Sequence, residues 1–544
     1  MEKSWEETTI DAWVAKRMFD REFILKRLDE RLEQYIPLSY DNEGVIERVL
    51  QSECATTTGS LTEAAFISLL QNKSTLPCSP EALQAGKTIY DSLLYLGDIP
   101  FPSTPEKERD VPRSSLSLER LTRSLMWILP DCVGGVIIEG SRSRMRTYAD
   151  RRRLIFQSLA CVSHNIPYDP EDALKLAQQG AFEVEYELHL DFCSMNRDDD
   201  GDEIYHDLLD VLYSTQEEKA PWLACVHRDS FRPLAKKMVI QNNLPKLYSL
   251  GIPINKFFTL VKVLLALQFS SEVEVDVNQF DTAARSICAT FCDFKEAEII
   301  TWPGFYRGLK EIMPYLFDPI YSLLFESFLE KASSFGVLAG FEGPSSFGEI
   351  LTLPHASQLS TFLSGCLTFE YLRCFEHYTP SRLPTPNALI EAVETFPDDS
   401  PVLLILSGTT KSGETCVFGV FSPKPKADGA SIVTNIVPNV IGLEPCSIFQ
   451  LAPVQDIFRG IPDKPGWKID NETVTFGQDG GVTMTFTDGL RCVKITHGSE
   501  EGSEGGYKSN KLRGSWTVEL EISQIEVWSE MEDTDEESDV EIER

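Results

Sequence analysis

The spacing of apolar residues divides the chain into a helical half and a β-rich half. In residues 12–36, apolar side chains recur every three or four positions with charged residues between them, which predicts an amphipathic helix. Capping signals at Ser60 and Ser79 precede two further helical patterns, the second of which is predicted to end near Gly97. The same spacing predicts helices over residues 222–240, 255–269, 279–292 and 303–332.

After residue 400 the apolar positions follow the two-residue period of strands. A turn containing Gly413 separates the apolar runs 401–408 and 416–422, which predicts an antiparallel hairpin. Further strand-like runs occupy residues 446–451, 473–477, 482–489, 491–498 and 515–528. The predicted fold class is therefore α+β, with an all-helical N-terminal half followed by a mostly antiparallel two-sheet β-sandwich that carries a few helices.

Four of these runs contain, in this order, the segments FGVFS, SIFQLAP, VTFG and ISQIEVW. Together they resemble the TLDc domain, and TLPHASQLSTFL at residues 352–363 is similar to the helical lead-in of that domain. The residues that match the pattern are Phe418, Gly419, Phe449, Leu451, Gly477, Glu526 and Trp528. The resemblance implies structural roles for them, with Trp528 as a buried indole that needs one hydrogen-bond partner.

The resemblance also implies a function. TLDc proteins are associated with oxidative-stress resistance and with binding the vacuolar or lysosomal proton-pumping ATPase. This chain would then be a non-enzymatic regulatory protein that binds peripheral subunits of the vacuolar ATPase and reaches the membrane surface through that partner. The alternatives are a thiol-based antioxidant enzyme, for which Cys416, Cys446 and Cys492 are candidates, and a trafficking or signalling scaffold.

Composition narrows the class of protein. The net charge of −34 over 544 residues disfavours nucleic acid as a partner, because it repels phosphate backbones. The N-terminus has no apolar segment of a secretory signal, and the longest apolar stretch, residues 257–269, is too short to cross a bilayer. Thirteen scattered cysteines indicate reduced thiols, so the expected location is cytoplasmic, with peripheral association at the vacuolar or lysosomal membrane.

The expected organisation has five segments. Residues 1–100 form an EF-hand-like helical part, and its connecting segment 72–79 lacks the carboxylates that calcium requires. The remaining segments are 101–190 (a linker and a helical stretch with a basic cluster), 191–332 (helical), 333–528 (the β-sandwich) and 529–544 (an acidic tail predicted to be disordered). A basic cluster comprises Arg142, Arg144, Arg146, Arg151, Arg152 and Arg153. It is a solvated face, a dock for an acidic partner such as the tail, or a contact for nucleic acid.

The sequence contains few candidate metal-binding or catalytic residues. Residues 196–207 match a calcium loop at Asp198, Asp200 and Gly201, but Asp207 stands where glutamate is required, so a charged linker is favoured and calcium is left open. His497 and Glu526 are the only candidates for acid–base work in the β unit, and no nucleophile accompanies either. We therefore expect no catalytic, cofactor-binding or metal-binding residues and no enzymatic activity.

Overall fold

The structure is a computed structural model, and the description covers only part of the chain. The described residues are 3–40, 45–53, 59–73, 76–102, 115–129, 132, 136–137, 148–162, 171, 204–216, 225–241, 246–270, 275–292, 298–329, 341–386, 388–389, 400–423, 446–461, 466–469, 473–477, 481–498, 505–510 and 513–531. The predicted linker beyond residue 102, residues 196–203 of the calcium-loop match and the tail beyond residue 531 lie outside these ranges.

Helices account for most of the N-terminal half. In the described residues they are α1 (Trp5–Ala15), α2 (Arg21–Tyr40), α3 (Val45–Glu53), α4 (Glu63–Lys73), α5 (Pro80–Gly97), α6 (Leu118–Ile128), α7 (Tyr148–Leu159), α8 (Ile204–Ser214), α9 (Arg232–Gln241), α10 (Ile254–Ala266), α11 (Asp281–Phe291), α12 (Trp302–Arg307), α13 (Asp318–Phe328) and α14 (Leu353–Leu363). The Ser79 hydroxyl accepts from the amide of Ala82 and Pro80 occupies the first turn, as expected for the start of α5.

Strands dominate the chain from residue 372 onward, and a few short ones occur earlier. In the described residues they are β1 (Cys161–Val162), β2 (Leu250–Pro253), β3 (Phe269–Ser270), β4 (Ile299–Thr301), β5 (Phe341–Glu342), β6 (Leu372–Tyr378), β7 (Val402–Thr410), β8 (Thr415–Ser422), β9 (Ser447–Ala452), β10 (Asp456–Arg459), β11 (Trp467–Ile469), β12 (Val474–Phe476), β13 (Val482–Thr487), β14 (Cys492–His497) and β15 (Trp516–Glu530). The predicted α+β class, a helical half followed by an antiparallel β half, is confirmed.

The chain forms two compact units. The first comprises Met1–Leu264, Phe294–Lys310 and Phe317–Ala339, and the second comprises Leu265–Asp293, Glu311–Leu316 and Gly340–Arg544. The five predicted segment boundaries remain predictions. No helix in the described stretches is long and apolar enough to cross a membrane.

In the first unit, a buried ion pair joins α7 to α8. The Arg153 guanidinium donates to both carboxylate oxygens of Asp207, each at 2.7 Å, and to the Gln157 amide oxygen at 2.8 Å. The side chain of Arg153 is 1% exposed, so its charge is fully desolvated and depends on this partner. A second buried pair, Arg228 with Asp210, ties α8 to the segment before α9.

In the second unit, ten described strands form one antiparallel sheet in the order β10-β9-β8-β7-β15-β14-β13-β12-β11, with β6 also paired to β15. β15 belongs to both halves of this sheet, because residues 516–521 pair with β14 and residues 520–529 pair with β7. A β-bulge between Ile522 and Gln524 marks the transition, since bulges bend a strand. The core cluster contains Leu404 and Phe418 of one half together with Met484 and Val493 of the other, so the halves face each other as two layers.

Helices α11 and α14 pack on the outer face of β9. Gln455, in the turn between β9 and β10, connects these parts: its amide donates to the Ser286 carbonyl at 3.1 Å and its side chain to the Thr361 hydroxyl at 2.8 Å. Gln358 of α14 donates to the Leu451 carbonyl at 3.0 Å. Every one of these polar groups is buried, so the amide network fixes where the helices lie on the sheet.

The structure corrects three details of the predicted elements. The single helix predicted over 12–36 is two helices, separated by a turn in which Arg17 has a φ of 59°. The helix predicted over 303–332 is interrupted between α12 and α13 by a π-helical turn at Gly308–Ile312, in a segment that carries prolines. Strands β1 to β6, β10 and β11 were missed, because short or mixed-polarity segments carry little periodic signal. Of these, β1, β2 and β4 pair as a small sheet in the half that was predicted to be all-helical.

Arg153→Met should destabilise the first unit by about 3–5 kcal/mol, because it removes the guanidinium that donates to both oxygens of the buried Asp207 carboxylate. The double variant Arg153→Met with Asp207→Leu should regain part of this loss, since the carboxylate that loses its guanidinium partner is removed with it. Urea unfolding of the full chain measures both variants, with the exposed Lys26→Met as the control. Equal losses for the single and double variants would show that the ion pair is not what stabilises this contact.

Candidate functional site

The polar centre of the second unit is Glu526, a buried carboxylate in the middle of the sheet. The second half of β15 lies between β6 and β7, and Glu526 stands opposite His377 on one side and Ile405 on the other. Its side chain is on the opposite face from Ile525 and Val527, which belong to the core cluster. Glu526 is 1% exposed, so its charge must be balanced by hydrogen bonds within the protein.

Four N–H groups satisfy the Glu526 carboxylate. The backbone amides of Glu349 and Ile350 donate to Oε1 at 2.7 and 2.9 Å, and the amide of Leu351 donates to Oε2 at 3.0 Å. The fourth donor is the indole Nε1 of Trp528, at 3.0 Å from Oε2. All the acceptor sites of a carboxylate are therefore in use.

The turn that supplies three of these donors leads directly into α14. A Cβ added at Gly348 would overlap both carboxylate oxygens, so only glycine allows the backbone this close to Glu526. His355, in the first turn of α14, contacts the Ile350 carbonyl through Nδ1 at 2.5 Å, and burial lowers the pKa of His355. The Glu526 carboxylate therefore holds this turn in place, and it has no free acceptor site for a proton from a substrate.

The remaining motif residues lie in the sheet without forming one site. Phe418 belongs to the core cluster, whereas Gly419 lies under the Phe449 ring, which a Cβ would overlap. Leu451 is buried, and Gly477 has a φ of 86° at the end of β12, a conformation that favours glycine. Of the predicted set, the structure brings together Glu526 with Trp528, and Gly419 with Phe449.

His497, the second acid–base candidate, is also fully engaged. Its Nδ1 hydrogen-bonds the Gly514 carbonyl at 2.7 Å, and its Nε2 accepts from the Asn510 amide at 2.8 Å. The ring stacks on Trp516 with centroids 5.2 Å apart, and burial lowers the pKa of His497. Neutral His497 therefore holds the connection between β14 and β15, and neither ring nitrogen is available for catalysis.

Beside His497 lies a buried ion pair that sequence reasoning did not find. Asp456 of β10 is 1% exposed and accepts from Arg513 at 3.2 Å. The Arg513 guanidinium also donates to the Gln450 side chain at 2.7 Å and lies 4.9 Å from the centre of the Trp516 ring. Burial raises the pKa of Asp456, and Arg513 counteracts that rise.

The predicted basic cluster is only partly described, and one member is not on the surface. Arg142, Arg144 and Arg146 lie outside the described residues. Arg153 is buried in its ion pair with Asp207, so it contributes nothing to a surface dock. Arg151 lies over the rings of Tyr148 and Tyr321, and Arg152 lies over Tyr306, which are cation–π contacts.

The structure also shows the surroundings of one candidate calcium ligand, Asp207, and of two candidate thiols, Cys416 and Cys446. Asp207, the last position of the calcium-loop match, gives both oxygens to Arg153, and no group of three or more ligand side chains in the described part could hold a metal ion. Burial raises the pKa of Cys416 to about 11 and also raises the pKa of Cys446, and both thiols are buried. A raised pKa disfavours the thiolate that peroxide chemistry needs.

The fold and site define a class: an α+β protein in which buried polar side chains hydrogen-bond the antiparallel sheet to the helices that cover it. No family model matches the chain. It is similar to the Restriction of telomere capping protein 5 of Fusarium vanettenii, with 22% identity over 522 residues, 82% of this chain and 79% of the relative. The proteins of the same name from Pyricularia oryzae (26% identity, 70% of this chain) and Coccidioides posadasii (22%, 75%) are also similar, and in each the match covers 65% of the relative.

These relatives correct the expectations drawn from the TLDc resemblance. Their names refer to restriction of telomere capping, not to a TLDc protein, vacuolar ATPase regulation or oxidative-stress resistance. The resemblance, with its EF-hand-like N-terminal part, was therefore wrong. The predicted function was also wrong, together with its antioxidant and scaffold alternatives. The same holds for the predicted ATPase partner and for the cytoplasmic or vacuolar location. The physical reason is that apolar runs with glycine at close contacts occur in any tightly packed antiparallel sheet.

Glu526→Gln should destabilise the second unit by about 2–4 kcal/mol, because the amide nitrogen cannot accept the two N–H donors that Oε2 now serves. Urea unfolding followed by circular dichroism measures the loss. The matched control is Glu521→Gln, an exposed position on the same strand that should change stability by less than about 0.5 kcal/mol. An equally small effect of Glu526→Gln would contradict the anchoring role.

Asp318, in the first turn of α13, should make stability depend on pH. Burial raises the pKa of its carboxyl to about 7, and Arg151 counteracts only part of that rise. Because the folded state keeps this proton and the unfolded state releases it near pH 4, stability falls as the pH rises from there to about 7. Asp318→Asn should therefore be more stable than the parent at pH 8, with a smaller advantage at pH 5.5.

Thermal unfolding of the full chain at the two pH values measures this difference. The exposed Asp488→Asn is the control, because it replaces a carboxyl group that lies in solvent. An advantage of Asp318→Asn that does not grow with pH would contradict the assignment.

Proposed function

We propose that this chain acts in the process for which its relatives are named, the restriction of telomere capping, and that it acts by contact with other proteins without catalysing a reaction. The names of the relatives support the first part. The hydrogen bonding of Glu526 is the observation that carries the second part. Glu526 is the carboxylate predicted as an acid–base candidate in the sheet half, and all its acceptor sites take hydrogen bonds from a turn and an indole.

Charge indicates the kind of contact. A net charge of −34 opposes close approach to the phosphate backbone of chromosome ends, because each phosphate carries a negative charge. Proteins assembled at chromosome ends are therefore better candidates for direct contact with this chain than the DNA itself. This distinction separates the proposal from one in which the chain binds telomeric DNA.

A genetic complementation tests the telomere-related role. In a Pyricularia oryzae strain with a conditional telomere-capping defect, deletion of its Restriction of telomere capping protein 5 should improve growth, because the name describes a protein that limits capping. Expression of this chain in the deletion strain should return growth to the level of the undeleted strain. Unchanged growth at matched expression would contradict the telomere-related role.

A second arm tests the absence of catalysis. The exposed described cysteines are Cys78, Cys225 and Cys374, and a variant with serine at all three should complement as well as the parent. Such a variant removes the exposed thiols of the described residues while leaving buried thiols such as Cys416 and Cys446 in place. Loss of complementation by a folded triple variant would favour thiol chemistry and contradict a purely non-catalytic role.

A further inference from the structure

One buried histidine holds the connection between β14 and β15. The described residues of this connection are 498, 505–510 and 513–515. His497, the last residue of β14, is 1% exposed, and its ring contacts Phe458 of β10 with centroids 5.4 Å apart. The ring also stacks on Trp516 of β15, with the two planes 4° apart. The two aromatic side chains therefore fix the plane of the imidazole.

The two hydrogen bonds of the ring determine where its proton lies. Nε2 accepts from the backbone amide of Asn510 at 2.8 Å, so this nitrogen carries no proton. Nδ1 lies 2.7 Å from the carbonyl oxygen of Gly514, which can only accept, so Nδ1 carries the proton and donates it. His497 is therefore neutral and in one specific tautomer, and it holds the connection at residues 510 and 514.

A second proton on the ring would break one of these two bonds. In the imidazolium ion both nitrogens are donors, so the Nε2–H group would point at the N–H group of Asn510. The bond from Nδ1 to Gly514 would persist, because it needs only the proton that Nδ1 already carries. Protonation of His497 therefore disfavours the contact with Asn510 selectively.

The surroundings of the ring also oppose its protonation. The titratable groups on the described elements that pack against it are Asp456, Arg459, Cys492, Lys494, Tyr507, Lys508, Arg513, Glu519 and Glu521. Burial lowers the pKa of His497, the bond to Gly514 offsets part of this effect, and the positive charge of Arg513 lowers the pKa further. Arg513 is itself paired with the buried Asp456 at 3.2 Å.

We infer that His497 is an acid-sensitive latch for the connection between β14 and β15. The neutral ring accepts from Asn510 and keeps the connection closed, whereas a proton on Nε2 releases the segment around Asn510 and leaves the contact with Gly514 in place. The side chain of Asn510 also donates to Asp456 at 3.3 Å, so release of this segment weakens the surroundings of the buried ion pair. The latch concerns regulation by pH and does not depend on the proposed function.

The direction of the pH effect follows from the lowered pKa. In an open connection the ring is in water, and its pKa returns to the ordinary value of 6.5. The open form then binds a proton at a pH at which the closed form does not. The open fraction therefore rises as the pH falls below 6.5, by about tenfold for each pH unit, until the pKa of the closed form is reached.

Hydrogen exchange of the full chain, followed by mass spectrometry, tests the latch. After correction for the intrinsic pH dependence of exchange, the open fraction of residues 505–510 should be about threefold or more higher at pH 5 than at pH 7.5. The amides of β7, in the same unit, are the internal reference. A change in residues 505–510 that is no larger than the change in β7 would overturn the inference.

Two histidine variants separate the latch from other effects of acid. His497→Gln supplies an oxygen acceptor for the Asn510 amide but takes up no proton in this pH range, so the acid-induced opening of residues 505–510 should be absent. His227→Gln, at a side chain of the first unit that is 41% exposed, should open as the parent does. Equal acid-induced opening of the parent and a folded His497→Gln would assign the effect to another group and contradict the latch.

Titration of the histidine rings by nuclear magnetic resonance tests the latch if His497→Gln does not fold. The signal of His497 is identified by its change of chemical shift in Trp516→Phe, because the two rings stack. In the parent chain this ring should titrate below the ordinary histidine value of 6.5. A His497 ring that titrates at 6.5 or above would show that the closed connection does not oppose protonation, and the latch would be wrong.

Discussion

The second unit depends on one buried negative charge. Glu526 is inaccessible to water, and its carboxylate is held in place by three consecutive backbone amides and one indole. Since those amides belong to the turn that begins α14, the charge sets where the helix starts relative to the sheet. A charge buried in this way is costly unless every acceptor site is filled, which explains why Gly348 leaves no room for a side chain.

The same principle recurs where helices and loops meet strands. Gln455 and Gln358 join two helices to the turn after β9, and Asp456 with Arg513 holds the loop that precedes β15. His497 closes the same region through both ring nitrogens. In each case a polar side chain that could support chemistry is used to fix geometry.

The sequence predicted those strands and turns that are encoded by local patterns of polar and apolar residues. Alternating polarity identified β13, and the hairpin of β7 and β8 followed from a short turn between apolar runs. It missed β6, whose residues LRCFEHY mix polarities around a bulge. It also missed the three backbone donors to Glu526, which are more than 170 positions away, and the burial of Arg153, whose partner Asp207 is 54 positions away. The family resemblance failed for a related reason: buried strands of different proteins share the same local chemistry.

Hydrogen exchange at three amides tests the central role of Glu526 most directly. The amides of Glu349, Ile350 and Leu351 lie in a turn without strand pairing, and only the carboxylate gives them the acceptors described above. In the full chain they should exchange as slowly as amides in the centre of β15, and Glu526→Gln should accelerate them. Exchange at the rate of exposed turns in the parent chain would contradict the account.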